Sequence, residues 1–139
     1  PLSQEIQDFV SSVSDYYGVS KDLIYKVMGA ESNYNQYAVS NTGDYGIMQV
    51  NMTYASDFVY KYDDVYSYLF TDGVMLFDMK QNIVIAVREL AYWKCICEDA
   101  GYTSDTAVLE CYNRGYGYFS DTCTCTYSNR VMSVEFKSM

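Results

Sequence analysis

Residues 78–99 constrain the fold more than any other stretch of the chain. Met79, Ile83, Ala86, Val87, Leu90, Trp93 and Cys97 recur at helical spacing and trace one apolar stripe, which Val84 and Ala91 widen. A helix apolar over so much of its circumference must be surrounded, so the pattern predicts a central helix with others packed on it. Gly101 ends it.

The remaining segments supply those neighbours. Ile6, Phe9, Val10, Val13 and Tyr17 predict a helix over about 3–17, closed by Gly18. Ser20 is a suitable N-cap for a second helix, with Asp22 in its first turn and a reading that runs to about residue 35. The Asn-, Ser- and Gly-rich stretch 33–51 predicts an irregular loop or short β-like insertion, with a tight turn at Asp44-Tyr45 between Gly43 and Gly46. Short helices are expected over 55–62 and 64–70, where Tyr54, Tyr60, Tyr62, Tyr66 and Tyr68 crowd together as one wall of a cleft. Ser104 caps a helix through about Asn113, and a last helix is expected over 126–136. The expected fold is all-α, one domain over residues 1–139, with the insertion at about 33–51.

One position breaks the pattern. Ile24, Val27 and Met28 lie on the buried stripe of the second helix, and the next position on that stripe is Glu31. A carboxylate carried toward a core without a partner tends to stay protonated. A carboxyl group protonated near neutral pH is what a general acid requires. The competing reading is a helix that unwinds near residue 31 and leaves Glu31 solvated.

Composition removes several classes of chemistry. The formal net charge is −9 and there is no histidine. That argues against nucleic-acid binding and removes serine or cysteine nucleophiles that depend on an imidazole base. Acid–base work falls to carboxylates, with tyrosine second. The 17 tyrosines suit sugar or peptide contact, and equally suit a core. No run of about 18 apolar residues is present, so no membrane span is expected. The chain starts at Pro1, which reads as a mature or trimmed fragment. The five cysteines, Cys95, Cys97, Cys111, Cys123 and Cys125, leave zinc, disulfides and free thiols open.

Five stretches taken together resemble the soluble lytic transglycosylase (SLT) family of the lysozyme-like superfamily. They are Glu31-Ser32; the run Ala38-x-Ser40-x-x-Gly43-x-x-Gly46-Ile47-Met48-Gln49; Asp78-x-x-x-Asn82-Ile83; Tyr112-Asn113-x-Gly115; and Tyr127 ahead of Arg130-Val131. The resemblance spans about residues 20–134. It implies a lysozyme-like helical fold and cleavage of peptidoglycan glycan strands between N-acetylmuramic acid and N-acetylglucosamine. Glu31 would be the single catalytic acid/base and the product a 1,6-anhydro sugar. Ser40 and Gln49 would contact the sugar, Tyr112 would hydrogen-bond near the acid, Asn113 would hold the local turn and Tyr127 would line the cleft. Asn51, also counted with the substrate-binding residues, stands where goose-type lysozymes carry an aspartate. Ile47, Met48 and Ser32 are expected to pack rather than react.

No cofactor or metal is implied, and the expected setting is extracellular or wall-associated, as a monomer that is secreted or delivered by a phage or conjugation apparatus. Two alternatives stay open: a hydrolytic muramidase using Glu31 with Asp44 as second carboxylate, and a non-catalytic wall-binding or assembly module.

Overall fold

The computed structural model describes residues 2–120 and 122–135. Its helices are α1 (Gln4–Tyr17), α2 (Lys21–Ser32), α3 (Met52–Lys61), α4 (Met79–Asp99), α5 (Asp105–Arg114) and α6 (Thr126–Met132). A two-residue antiparallel pair, β1 (Asp44–Tyr45) and β2 (Val50–Asn51), sets Asp44 opposite Asn51 and Tyr45 opposite Val50. The all-α expectation, with a small β-like insertion, is borne out.

Helix α4 is the centre. Ile83, Val84, Ile85, Ala86, Val87 and Leu90 are inaccessible to solvent. Helices α1 and α5 pack along α4, and α6 bridges α5 to α2. The serines at the helix starts act as expected: Ser20 accepts the Leu23 N–H and Ser104 the Ala107 N–H. No described helix is long and apolar enough to cross a membrane.

Polar side chains at the start of α4 fix the irregular segments. Asn82 is wholly buried; it accepts the Met48 N–H at 2.8 Å and donates to the Tyr45 and Leu76 carbonyls. Gln81 accepts the Met75 N–H and donates to the Leu69 carbonyl. Gly46 sits in the angle between Asn82 and Leu76 with φ +81°, where a Cβ would collide with both the Asn82 amide and the Leu76 carbonyl. This is the close backbone approach that the Gly43/Gly46 spacing anticipates.

Several boundaries differ from expectation, each for a local reason. Helix α2 stops at Ser32 rather than 35, because Asn33 turns left-handed (φ 52°) and donates its N–H to the Gly29 carbonyl. Asp44-Tyr45 is a strand rather than a turn; the turn precedes it, with the Gly43 N–H bonded to the Ser40 carbonyl. Helix α3 starts at Met52, three residues early, because the Asn51 side chain accepts the Thr53 and Tyr54 N–H groups. The second short helix shrinks to a 3-10 turn at Ser67–Phe70, since Asp64 and Ser67 hold the preceding backbone in a turn of their own. Helix α6 ends at Met132, and Phe136 lies outside the described residues.

The crowded tyrosines also divide. Tyr66 is buried against Phe9 and Tyr17, while Tyr60 and Tyr68 face solvent. Only Tyr54 and Tyr62 reach the cleft. Cys123 and Cys125 are joined to each other; Cys95, Cys97 and Cys111 are free thiols.

Candidate active site

Helix α2 carries Glu31 to the edge of the core. Val27 and Met28, one turn earlier, are inaccessible, and the Glu31 side chain retains 17% exposure. Ser32 ties the helix end to the insertion, donating to the Ile47 carbonyl at 2.6 Å. Burial pushes the Glu31 carboxyl up from its ordinary 4.5 to about 7. Arg130 of α6, 3.4 Å from Oε1, pulls in the opposite direction, and the negative charge of Asp44 adds to the rise. Arg130 is itself 56% exposed, so its pull is that of a solvated cation and burial prevails.

Glu31 opens into a cleft of about 840 Å³ to which nearly every element contributes. The β1–β2 segment supplies Asp44, Gln49 and Asn51; α3 supplies Tyr54, with Tyr62 just past its end; α4 supplies Glu89 and Trp93. Helix α5 adds Tyr112 and Asn113, and α6 adds Tyr127. Tyr112 and Tyr127 face each other with ring centroids 6.5 Å apart. Both phenols are pushed above their ordinary value, first by burial and then by surrounding groups that include Glu31 and Glu89. They stay protonated, and the Tyr127 hydroxyl is buried with no hydrogen-bond partner among the described residues.

The insertion residues do different work from one another. Gln49, at φ 55°, donates its amide to the Ala38 and Gly46 carbonyls, so it holds the loop while lining the cleft. Ile47 and Met48 are inaccessible beneath it. Ser40 is not part of the cleft lining: its hydroxyl donates to Asp44 Oδ2 and accepts the Thr42 and Asp44 N–H groups. Asp44 lines the cleft, with Oδ2 also accepting from Thr42 Oγ1 at 2.8 Å. Asn51 lines the cleft while capping α3, and Asn113 is exposed there.

A second acid was not picked out by the sequence. Glu89 of α4 faces the same cleft, and burial raises its carboxyl from 4.5 to about 7. The indole N–H of Trp93, one turn on, favours the ionised form but falls short of hydrogen-bond geometry. No cation pairs with Glu89 among the described residues.

Residues 9–129 match the family model described as the transglycosylase SLT domain. The chain belongs to that family. It is 34% identical over 112 residues to membrane-bound lytic murein transglycosylase C of Pectobacterium atrosepticum and 33% identical over 112 residues to that of Cronobacter sakazakii. Identity to the protein of the same name from Sodalis glossinidius is 32% over 113 residues. Each match covers 78% of this chain and 30% of the relative, so the chain spans less than a third of the length of these relatives.

The SLT match encloses all the site positions from Glu31 to Tyr127, and the fold gathers Glu31, Asp44, Gln49, Asn51, Tyr112, Asn113 and Tyr127 around one cleft while leaving Ser40 in the turn behind it. Two charged features, one beside Glu31 and one in the cleft, needed the fold to be seen. Arg130, in the last of the motifs, lies 99 residues from Glu31 in the chain, and only the fold brings the two together. Glu89 lies beside the predicted stripe of α4, where a charged residue ordinarily marks the solvent face; no sequence signal shows that the cleft crosses the helix there.

Proposed function

We propose that this chain is a peptidoglycan lytic transglycosylase domain in which Glu31 acts as the single general acid and base. The observation that carries the reading is Glu31 itself: a carboxyl desolvated at the edge of a sugar-sized cleft, with its pKa lifted to about 7. Membership of the SLT family and the names of its relatives support the substrate class.

The reaction follows from one proton moved out and one taken back. Protonated Glu31 gives its proton to the glycosidic oxygen, and the bond from that oxygen to the muramoyl anomeric carbon breaks. The substrate's own acetamido group supports the positive charge on that carbon. Glu31, now an anion, has the Arg130 guanidinium at 3.4 Å. It then accepts the proton of the muramoyl 6-hydroxyl as that oxygen bonds to the anomeric carbon. The products are a 1,6-anhydro end and a free 4-hydroxyl, Glu31 is again protonated, and no water is consumed.

A hydrolytic muramidase is the second reading, and Asp44 is its support. It lines the cleft and its charge acts on Glu31. Pairs of catalytic carboxylates about 5–9 Å apart serve ordinary glycosidases, one of them handling water or the sugar directly. Mass spectrometry of a peptidoglycan digest separates the two: anhydro ends support transglycosylation, reducing ends 18 mass units heavier (about one water) support hydrolysis. Glu31→Gln should lower product release at least about 100-fold in either case. Full activity in the Glu31→Gln variant would overturn the role of Glu31, and binding of the unsubstituted protein to purified walls without product release would favour a non-catalytic wall-binding or assembly module.

The compartment of the substrate lies outside the cytoplasm, and the Cys123–Cys125 disulfide accords with an oxidising setting.

A further inference from the structure

The cleft holds a carboxyl that the reaction above does not use. Glu89 projects from the central helix into a setting of aromatic side chains: Tyr54 across on α3, Tyr62 just past its end, Trp93 on its own helix, Tyr112 on α5 and Tyr127 on α6. Tyr54 keeps 44% of its surface exposed, and Tyr116 beside the same cleft keeps 59%. Tyr92 and Tyr116 join through their hydroxyls at 2.8 Å, which stiffens that edge.

Two more polar groups lining the cleft have no hydrogen-bond partner among the described residues. The Trp93 indole N–H and the Tyr127 hydroxyl are both buried without a hydrogen bond among the described residues. Buried donors left unmade cost free energy, so a cleft that keeps two of them beside a carboxyl with no cation paired to it among the described residues is built to be completed by a ligand. The ligand chemistry is set by what surrounds them. Aromatic faces accept the apolar C–H face of a pyranose, and edge-on carboxyl, phenol and indole groups meet its hydroxyl and acetamido groups.

We infer that Glu89 is a sugar-binding residue whose carboxyl hydrogen-bonds a hydroxyl or acetamido group of one N-acetylhexosamine unit seated between α3 and α5. The inference rests on the glycan-cleaving reading for its choice of sugar, and it concerns binding rather than bond cleavage. Glu89 is predominantly neutral below pH 7, since burial lifts its pKa to about 7. In that form it offers one donor and an acceptor and brings no charge into the cleft. The groups that face it are Tyr54 of α3, Tyr62 just past the end of α3, Tyr112 of α5 and Tyr127 of α6, all with raised pKa values, and the cleft also holds Asp57 and Lys61 of α3, Glu31 of α2 and Asp44 of β1. Ionisation of Glu89 therefore removes a donor and adds a charge among neutral phenols.

The test uses the Glu31→Gln protein, which removes turnover, and the hexamer of N-acetylglucosamine as probe. Its affinity is measured by calorimetry, and the single tryptophan, Trp93, reports by fluorescence that the probe sits beside residue 89. Adding Glu89→Leu should weaken binding about tenfold at pH 6, the loss expected for one or two hydrogen bonds to a neutral carboxyl. Adding Glu89→Gln, which keeps a donor and an acceptor without a titrating proton, should hold affinity within about threefold at pH 6 and abolish the loss of affinity between pH 6 and pH 8.5. Glu89→Gln also controls for folding, because it preserves shape. Equal affinity of the Glu89→Leu and parent proteins overturns the inference. So does the absence of any binding by the parent. Product analysis with the wild-type protein, run in parallel, reports on the reaction alone.

Discussion

At the residue scale, Glu31 fixes the expected pH behaviour. In the proposed role of general acid Glu31 must carry its proton, and its carboxyl loses it near pH 7. Muropeptide release, followed as kcat/KM against pH, should therefore fall about tenfold per pH unit well above 7. Glu89 titrates in the same range, so the Glu89→Gln protein identifies the owner of the limb: the decline should persist in it. The Glu31 stripe was legible because its periodicity is local, involving residues three and four apart on one helix. Glu89 was not, because its character comes from helices α3, α5 and α6, which meet it only after folding. Ser40 shows the opposite limit: a motif gave its position in the loop, but its hydroxyl is directed by Asp44 and Thr42 into the turn rather than the cleft.

Between elements, the dominant fixture is the polar girdle around α4. Arg88 is buried and donates to Asp64 Oδ1 at 2.5 Å and to the Tyr17 hydroxyl at 2.7 Å, while Tyr17 hydrogen-bonds Asp64. This joins α1, α4 and the segment after α3, and the Arg88 guanidinium lies over the Tyr62 and Phe70 rings. Asp64→Ala would strand a buried cation and should lower stability by about 3 kcal/mol in urea unfolding. Gly46→Ala should be comparably damaging, since both its φ and the Asn82–Leu76 clamp exclude a Cβ; the insertion would be displaced, and cleavage would fall further than stability. The helices were readable from the sequence because apolar spacing and serine caps are short-range signals. The girdle was not, because Tyr17, Asp64 and Arg88 are far apart in the chain, and Asp64 and Arg88 each alone look like surface residues. The cysteines make the same point: Cys97 and Cys111 come to 3.6 Å in the α4–α5 contact, with both thiols raised by burial. In the native protein Cys95 should alkylate rapidly and Cys97 and Cys111 slowly, all three reacting on unfolding and all five after reduction. Mass spectrometry of the labelled protein reads each stage.

For the molecule as a whole, the two raised cleft carboxyls, Glu31 and Glu89, set how stability varies with pH. Both have folded pKa values near 7 against an ordinary 4.5, so the folded state holds protons that the unfolded chain releases. Their contribution is complete below about pH 4.5, is lost as pH rises toward 7 and changes little beyond; it is on the order of 2–3 kcal/mol each. Asp64 acts with the opposite sign: its carboxyl is held below 3.8, chiefly through Arg88 and Tyr17 acting against burial, and its contribution is lost in strong acid. The melting temperature should accordingly peak at mildly acidic pH and decline toward pH 8, and Glu31→Gln and Glu89→Gln should each flatten that decline. The exposed Arg130 has a further consequence. Its hold on Glu31 passes partly through solvent, and dissolved ions with a Debye length of about 8 Å at 0.15 M weaken such a hold. Because Arg130 opposes the rise in the Glu31 pKa more strongly than Asp44 supports it, added salt should move the alkaline limb of activity to higher pH. A protein of net charge −9 at an anionic wall would thus become both less repelled and more firmly protonated as ionic strength increases, so the medium itself would act as an activator.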